Sequence, residues 1–304
     1  MSSQQPLSPN AFRTSVRARL RNEAVRTGRN YGELEREFIL QRFLARVFSE
    51  NESSWILKGG TNLLVRLPGD ARHSKDLDLL HSSQDLSSAV AELEELSKKR
   101  MDPFTFTLSP PKEMSGGVAG ATIKVAAYLG ATRFGGFPID LSTELHFISK
   151  VDRHQPQEIL KMEALEPLPE FQLYPLPDQV ADKVCAMYEN HGAEGNVPST
   201  RYRDLVDLVL IVQNFELDAG STQAALTAES RRRGLNLPDA FSSPHPQWTT
   251  AYAEYIRKAS LPGNHSTLEV ALSIAGACIT PLLSGGIEDG TWDPHARKWT
   301  PNES

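Results

Sequence analysis

No run of about 18 apolar residues occurs in the chain, so no membrane-spanning helix is expected. Cysteine is almost missing: Cys185 and Cys278 stand far apart, each among apolar neighbours. Two buried thiols in a reducing compartment are expected, rather than a disulfide or a metal site. The histidines show no H-E-x-x-H or comparable spacing, which argues against a zinc enzyme. No G-x-S-x-G elbow is present, which argues against a serine hydrolase. Positive charge is not in excess. The 304 residues carry a net charge of -6, which excludes a protein whose main task is to coat nucleic acid nonspecifically. Met1 to Asn10 is polar with two prolines and lacks the apolar stretch of a secretory signal, so a cytoplasmic protein is expected.

What is present reads as three parts: N-terminal helices over 1–54, a mixed α/β core over 55–150, and a mainly helical lobe over 151–304. Residues 11–28 form a basic segment of helical character. Tyr31 to Ser49 is strongly amphipathic, with Leu34, Phe38, Phe43, Val47 and Phe48 at helical spacing. Strands are expected at 55–58, 76–80, 104–108, 121–129 and 137–145, and helices at 61–67 and 85–100. Residues 155–177 carry several prolines and read as a crossing between lobes. Helices follow at 178–190, 200–214, 220–233, 248–259 and 266–283, and residues 284–304 read as irregular. Basic residues cluster at Arg13, Arg17, Arg19, Arg21, Arg26 and Arg29, at Lys98, Lys99 and Arg100, and at Arg231, Arg232 and Arg233. Each cluster is either a nucleic-acid face or a solvated helix face.

Four segments could carry chemistry. In Lys58-Gly59-Gly60-Thr61, a double glycine between a strand and a helix lets backbone N–H groups approach phosphate oxygens, and the helix N-terminus adds positive potential. The segment Arg72-His73-Ser74-Lys75-Asp76-Leu77-Asp78 follows. Asp76 and Asp78, at i and i+2 on a strand, face one side and can offer hard oxygens to Mg²⁺ beside a triphosphate. Arg72, Ser74 and Lys75 stand where they could contact those phosphates. Asp140, on a later strand, could add a third carboxylate to the metal or could be an edge-strand acid. Asp178 suits an N-cap, with Gln179 and Lys183 on one helix face; Lys183 either reaches a phosphate or pairs with an acid. Asp204 and Asp207 border an apolar stripe of Leu205, Leu208 and Val209. They are either functional or salt-bridged to Arg201 or Arg203.

In their order, these motifs resemble the AbiEii-type toxins, the nucleotidyltransferases of type IV toxin–antitoxin systems that include the MenT toxins. The resemblance rests on Lys-Gly-Gly-Thr, on Arg72 to Leu79, on Asp182-Lys183 and on Arg201-x-x-Asp204-x-x-Asp207-Leu208. Pro281-Leu282-Leu283, Trp292-x-Pro294 and Trp299 are similar to family tails. The resemblance implies an α+β fold: a DNA polymerase β-like nucleotidyltransferase core, with a mixed sheet and flanking helices, and a helical C-terminal lobe. It implies Mg²⁺ and NTP, a cognate antitoxin and, from the MenT branch, transfer of nucleotides to the 3′ acceptor end of tRNA, which stops translation.

By residue match, Asp76 and Asp78 would be metal ligands, joined by Asp140 by extension from the wider superfamily. Lys58, Gly59, Gly60, Thr61, Arg72, Ser74 and Lys75 would surround the nucleotide. Lys183 would bind phosphate, and Asp207 would be an essential acid with Asp204 beside it. Two features depart from the pattern. Thr61 stands where serine is more usual, and the interval from Gly60 to Asp76 is long. Nucleotidylation of a protein hydroxyl would use the same metal chemistry, and a non-catalytic nucleotide-binding module is the third reading.

Overall fold

Ser8 and Asn30 start the first two helices by the same device: each offers a side-chain oxygen to the orphan N–H groups of the first turn. In the computed structural model, Ser8 Oγ accepts from Ala11 N at 3.3 Å, and Asn30 Oδ1 accepts from Gly32 N at 2.8 Å and Glu33 N at 3.2 Å. Helix α1 (Pro9–Thr27) buries Phe12, Val16 and Leu20, one residue per turn, and stops at Gly28 in the left-handed region. Helix α2 (Tyr31–Val47) is buried along most of its length. The structure describes residues 8–50, 52–83, 85–114, 120–144, 146–190, 197–258 and 267–302. Of the segments read from the sequence, residues 1–7, positions 115–119, Leu145, Ala259, Ser266 and the last two residues lie outside these.

Contacts divide the chain into two units. The first comprises Met1–Gly69, His73–Leu145 and Val151–Leu173, and the second Asp70–Arg72, His146–Lys150 and Tyr174–Ser304. The first unit is built on a mixed sheet of eight strands: β1 (Trp55–Leu57), β2 (Leu77–His81), β3 (Phe104–Leu108), β4 (Lys112–Glu113), β5 (Gly120–Leu129), β6 (Thr132–Ser142), β7 (Asp152–His154) and β8 (Phe171–Leu173). Their order is β3-β5-β6-β2-β1-β8-β7, with β4 paired to β5. β2–β6 and β1–β8 are parallel and the other pairs antiparallel. Helices α3 (Gly59–Arg66) and α4 (Leu86–Ser97) complete the unit. Its core joins Phe38 and Phe43 of α2 to Phe104 and Phe106 of β3 and Phe137 of β6. Rings of this size, fully buried, are worth roughly 1.5–3 kcal/mol each.

A buried ion cluster pins α2 to the start of β3. Asp102 accepts from Arg42 Nε at 2.8 Å and from Arg46 Nη1 and Nη2 at 3.1 and 2.9 Å. Its Oδ1 also caps the backbone N–H of Phe104 at 2.8 Å. The side chain of Asp102 is wholly inaccessible, as is that of Arg46. A charge so deep is tolerable only when every partner is in place.

The second unit packs α5 (Leu176–Tyr188), α6 (Tyr202–Asn214), α7 (Ala219–Arg233), α8 (Trp248–Lys258) and α9 (Leu268–Leu283). Helix α6 is the central one, with Asp204 through Val212 all buried. Both cysteines are buried free thiols, and burial pushes the Cys185 thiol up to about 12.

Several expectations need correction. The proline-rich stretch expected as a bare crossing contains β8, a strand of the first unit. The irregular tail is in part a hairpin of β10 (Thr291–Asp293) and β11 (Lys298–Thr300), which continues onto β9 (Leu217–Asp218) as a three-stranded sheet. Trp292 Nε1 donates to Val212 O at 2.7 Å and Trp299 Nε1 to Cys278 O at 2.9 Å, which fixes the hairpin to α6 and α9. Asp178 is not an N-cap. Helix α5 starts at Leu176, and the Asp178 carboxylate, within its first turn, accepts from Ile148 N at 2.7 Å and Ser149 N at 3.1 Å.

Candidate active site

Gly59 and Gly60 do not precede the helix; they are its first two residues. Lys58, in extended conformation, is the N-cap without a side-chain cap, and its carbonyl accepts from the Asn62 N–H at 3.2 Å, which closes the first turn. The Lys58 N–H donates to the carbonyl of Asp78 at 2.9 Å, which ties the start of α3 to β2. Gly59 has φ +64°, and a Cβ there would lie 1.8 Å from Asp78 Oδ2. No other residue leaves room for the Asp78 carboxylate, and glycine alone tolerates that backbone without strain.

Strand β2 begins at Leu77, so Asp76 sits at the bend just before it, exposed, as is Lys75. Two buried hydroxyls hold that bend. Thr61 Oγ1 and Ser74 Oγ each donate to the Asp76 carbonyl at 3.0 Å. Both residues, expected at the nucleotide, therefore serve the backbone that carries Asp76.

Asp78 and Asp140 are direct partners in the parallel pairing of β2 with β6. Neighbouring residues in register project to the same face of a sheet. Leu77, Leu79, Ile139 and Leu141 are buried on the opposite face, while both aspartates keep partial access to solvent. Thr122, opposite Asp140 on β5, donates to Asp140 Oδ1 at 2.8 Å. Sequence reasoning missed Thr122, although the alternation of 121–125 places it on that polar face. Two adjacent carboxylates and an exposed third, all hard oxygen donors, suit Mg²⁺ in chemistry. Among the described residues no three acidic, histidine or cysteine side chains are gathered closely enough to hold an ion by themselves. Such an ion would need oxygens from elsewhere, which a triphosphate supplies.

The second unit contains a buried charge network. Lys183 Nζ lies 2.5 Å from Asp207 Oδ2 and 3.2 Å from Asp204 Oδ1. Arg72 grips the same Asp207 with two bonds, Nε to Oδ1 and Nη2 to Oδ2, both at 2.7 Å. Asp207 has no accessible surface. Burial alone would push its carboxyl up, but Lys183 and Arg72 outweigh that and hold it below the usual carboxylate range. Burial likewise works against the Lys183 ammonium, and Asp207 and Asp204 together raise it above its ordinary value. Of the two open readings for Lys183, the structure shows the acid-paired one. The salt-bridge reading for Asp207 has other partners than expected, since Arg72 and Lys183 take it rather than Arg201 or Arg203. Arg201 reaches only Asp204, at 3.9 Å.

The basic clusters are largely neutralised. Arg17, Arg26 and Arg29 pair with Glu35, Glu23 and Glu37; Lys98 and Lys99 pair with Glu95 and Glu50. Arg232 pairs with Glu229, and Arg233 with Asp182, Glu189 and Glu229.

Known proteins share the fold that carries these residues. MenT4, a nucleotidyltransferase toxin from Mycobacterium tuberculosis, shares the fold with a TM-score of 0.56 at 17% identity, covering 88% of this chain and 89% of that one. A provisionally assigned nucleotidyltransferase from H. pylori aligns at 14% identity and a TM-score of 0.46, over 82% of this chain and 97% of that one. No curated protein matches the chain in sequence. Residues 42–271, well over half the chain, match the family described as nucleotidyl transferase AbiEii toxin of the type IV toxin–antitoxin systems, and the chain therefore belongs to that family.

Proposed function

We propose that this nucleotidyltransferase toxin moves a nucleotide from NTP to the 3′ acceptor end of tRNA and thereby blocks translation, in the cytoplasm and under the control of a cognate antitoxin. The observation that carries the reading is the in-register pair Asp78–Asp140 beside Gly59, at the first turn of α3. Asp76 and Asp78 are the metal ligands in this reading, with Asp140 beside them, held by Thr122. Bound Mg²⁺ would supply charge neutralisation on the triphosphate and polarise the attacking hydroxyl. Gly59 and Gly60, at the N-terminus of α3, let backbone N–H groups approach phosphate oxygens, and Lys58 and Lys75 add positive charge. Thr61 and Ser74 keep Asp76 in position. In the helical unit, Lys183 has three N–H donors and two are occupied by Asp204 and Asp207, which leaves one for phosphate. Asp207, gripped on both oxygens by Arg72, sets the orientation of that ammonium. No helix among the described residues is long and apolar enough to cross a membrane.

The test is incubation with each labelled NTP, Mg²⁺ and total RNA, followed by sequencing of RNA 3′ ends. Label in tRNA that RNase removes, absent with EDTA and in Asp78→Asn, is the expected result. Label that protease removes instead would move the acceptor to a protein hydroxyl. Absence of label with all four nucleotides, together with an equally harmless Asp76→Ala variant in cells, would sink the reading.

A further inference from the structure

The helical unit carries an aromatic stripe that begins in its core and ends at its surface. On α8, Trp248, Tyr252 and Tyr255 recur at i, i+4 and i+7, on one helix face. Trp248 and Tyr252 are buried, and the Trp248 indole N–H donates to Ser199 O at 2.8 Å. Ser199 is itself fixed, since its hydroxyl donates to Ala186 O at 2.7 Å. Tyr202, the first residue of α6, packs edge-on against Trp248 with ring centroids 6.2 Å apart. It meets Tyr255 at 5.6 Å and 53°. Both tyrosines are half-buried, and neither hydroxyl is hydrogen-bonded to a described residue. Tyr255 lies within electrostatic reach of Arg72, Asp207 and Arg203.

Charge around the pair is positive. Arg201 and Arg203 flank Tyr202 and are exposed, and Lys258 lies one turn beyond Tyr255. Arg203 makes no ion pair among the described residues, unlike most of the basic side chains in the sequence clusters. Asp204 is occupied by Lys183, which leaves Glu254 as the acid next to Tyr255 on α8. An apolar packing role would explain Trp248 and Tyr252. It does not explain two half-buried rings in contact beside Arg203, which has no ion-pair partner among the described residues.

We propose that Tyr202 and Tyr255 form a stacking platform for an unpaired base of single-stranded RNA, with Arg201 and Arg203 receiving the flanking phosphates. Every base has a π-face, and unpaired arginine tracks the backbone, so the pair fits a strand end rather than a duplex. The inference rests on RNA as the acceptor and adds a place where its end is held.

The test uses the full chain and a short fluorescein-labelled RNA with a single-stranded 3′ end, followed by anisotropy. Tyr202→Ala and Tyr255→Ala are each expected to weaken binding by roughly tenfold, the size of one lost base stack. Tyr255→Leu, which fills the space without a π-face, is expected to behave like the alanine variant, and Tyr255→Phe like the parent. Arg203→Gln is expected to lower the slope of log affinity against log salt by about 1. NTP affinity should stay unchanged in all of them. RNA affinity unaffected by the leucine variant would overturn the platform, as would an equal loss of NTP affinity or undiminished binding of blunt duplex. The two proposals fail separately. RNA bound through the tyrosines but never extended sinks the transfer reaction and leaves the platform; extension by Tyr255→Leu at the parent KM sinks the platform and leaves the reaction.

Discussion

A methyl group at Gly59 would occupy the space of the Asp78 carboxylate. Gly59→Ala must therefore move either the first turn of α3 or the aspartate, and it adds strain at a positive φ. A displacement of about 1 Å at a reacting centre costs on the order of 10²-fold in rate. We expect kcat to fall by at least that factor, while the strain itself costs about 1–3 kcal/mol of stability. Steady-state transfer assays beside urea unfolding check both; unchanged kcat would mean that Asp78 does not need its observed place. Asp207 and Lys183 make a prediction about pH. The folded pKa of Asp207 is depressed, so its stabilisation is present above the unfolded carboxylate value of about 4 and is lost as pH falls through the folded value. The folded pKa of Lys183 is raised, so its stabilisation is present below about 10.4 and is lost as pH rises through its folded value. Thermal melts of Asp207→Asn should show a flatter acid limb than the parent, and those of Lys183→Met a flatter alkaline one. Since each variant leaves partners buried and unpaired, both should also melt lower, by the equivalent of about 3–5 kcal/mol.

Among the elements, α2 and β3 depend on one carboxylate. Asp102→Ala leaves Arg42 and Arg46 buried without their acid and removes the cap on Phe104. A loss of about 3–5 kcal/mol is expected in the urea transition of the first unit, and a shift under 1 kcal/mol would show that the arginines find water. Elements with strong periodicity were legible from the sequence: α1, α2, α4, β3, β5 and the helices of the second unit stand within a few residues of expectation. Short or unusual ones were not. β8 is three residues long among prolines, too short to show alternation. The hairpin of β10 and β11 turns through Arg297 at φ +52°, where glycine or asparagine would have signalled it. The juxtaposition of Gly59 with Asp78 followed from strand order. The bond from Arg72 to Asp207 did not, because a partner 135 positions away leaves no local trace.

At the scale of the molecule, charge is organised by pairing rather than by excess. Half of the arginines that look like a nucleic-acid footprint in the sequence are held by glutamates, and the net charge of -6 is spread over a surface of mixed sign. A composition cannot show this, because the pairs form across turns and between elements. Chain order adds another property. Asp70–Arg72 and His146–Lys150 belong to the second unit, although most of that unit is encoded after Tyr174. These two short insertions supply the Arg72 grip on Asp207 and the amides that receive Asp178. The gene therefore cannot be dissected at a single point. A fragment of residues 174–304 would carry Asp178 without its two amides and Asp207 without Arg72, with Lys183 kept, and it should show broad, uncooperative melting and bind hydrophobic dyes. Joining residues 70–72 and 146–150 to it through flexible linkers should restore a sharp transition. A proteolytic nick in either insertion should therefore loosen helices encoded downstream of the cut.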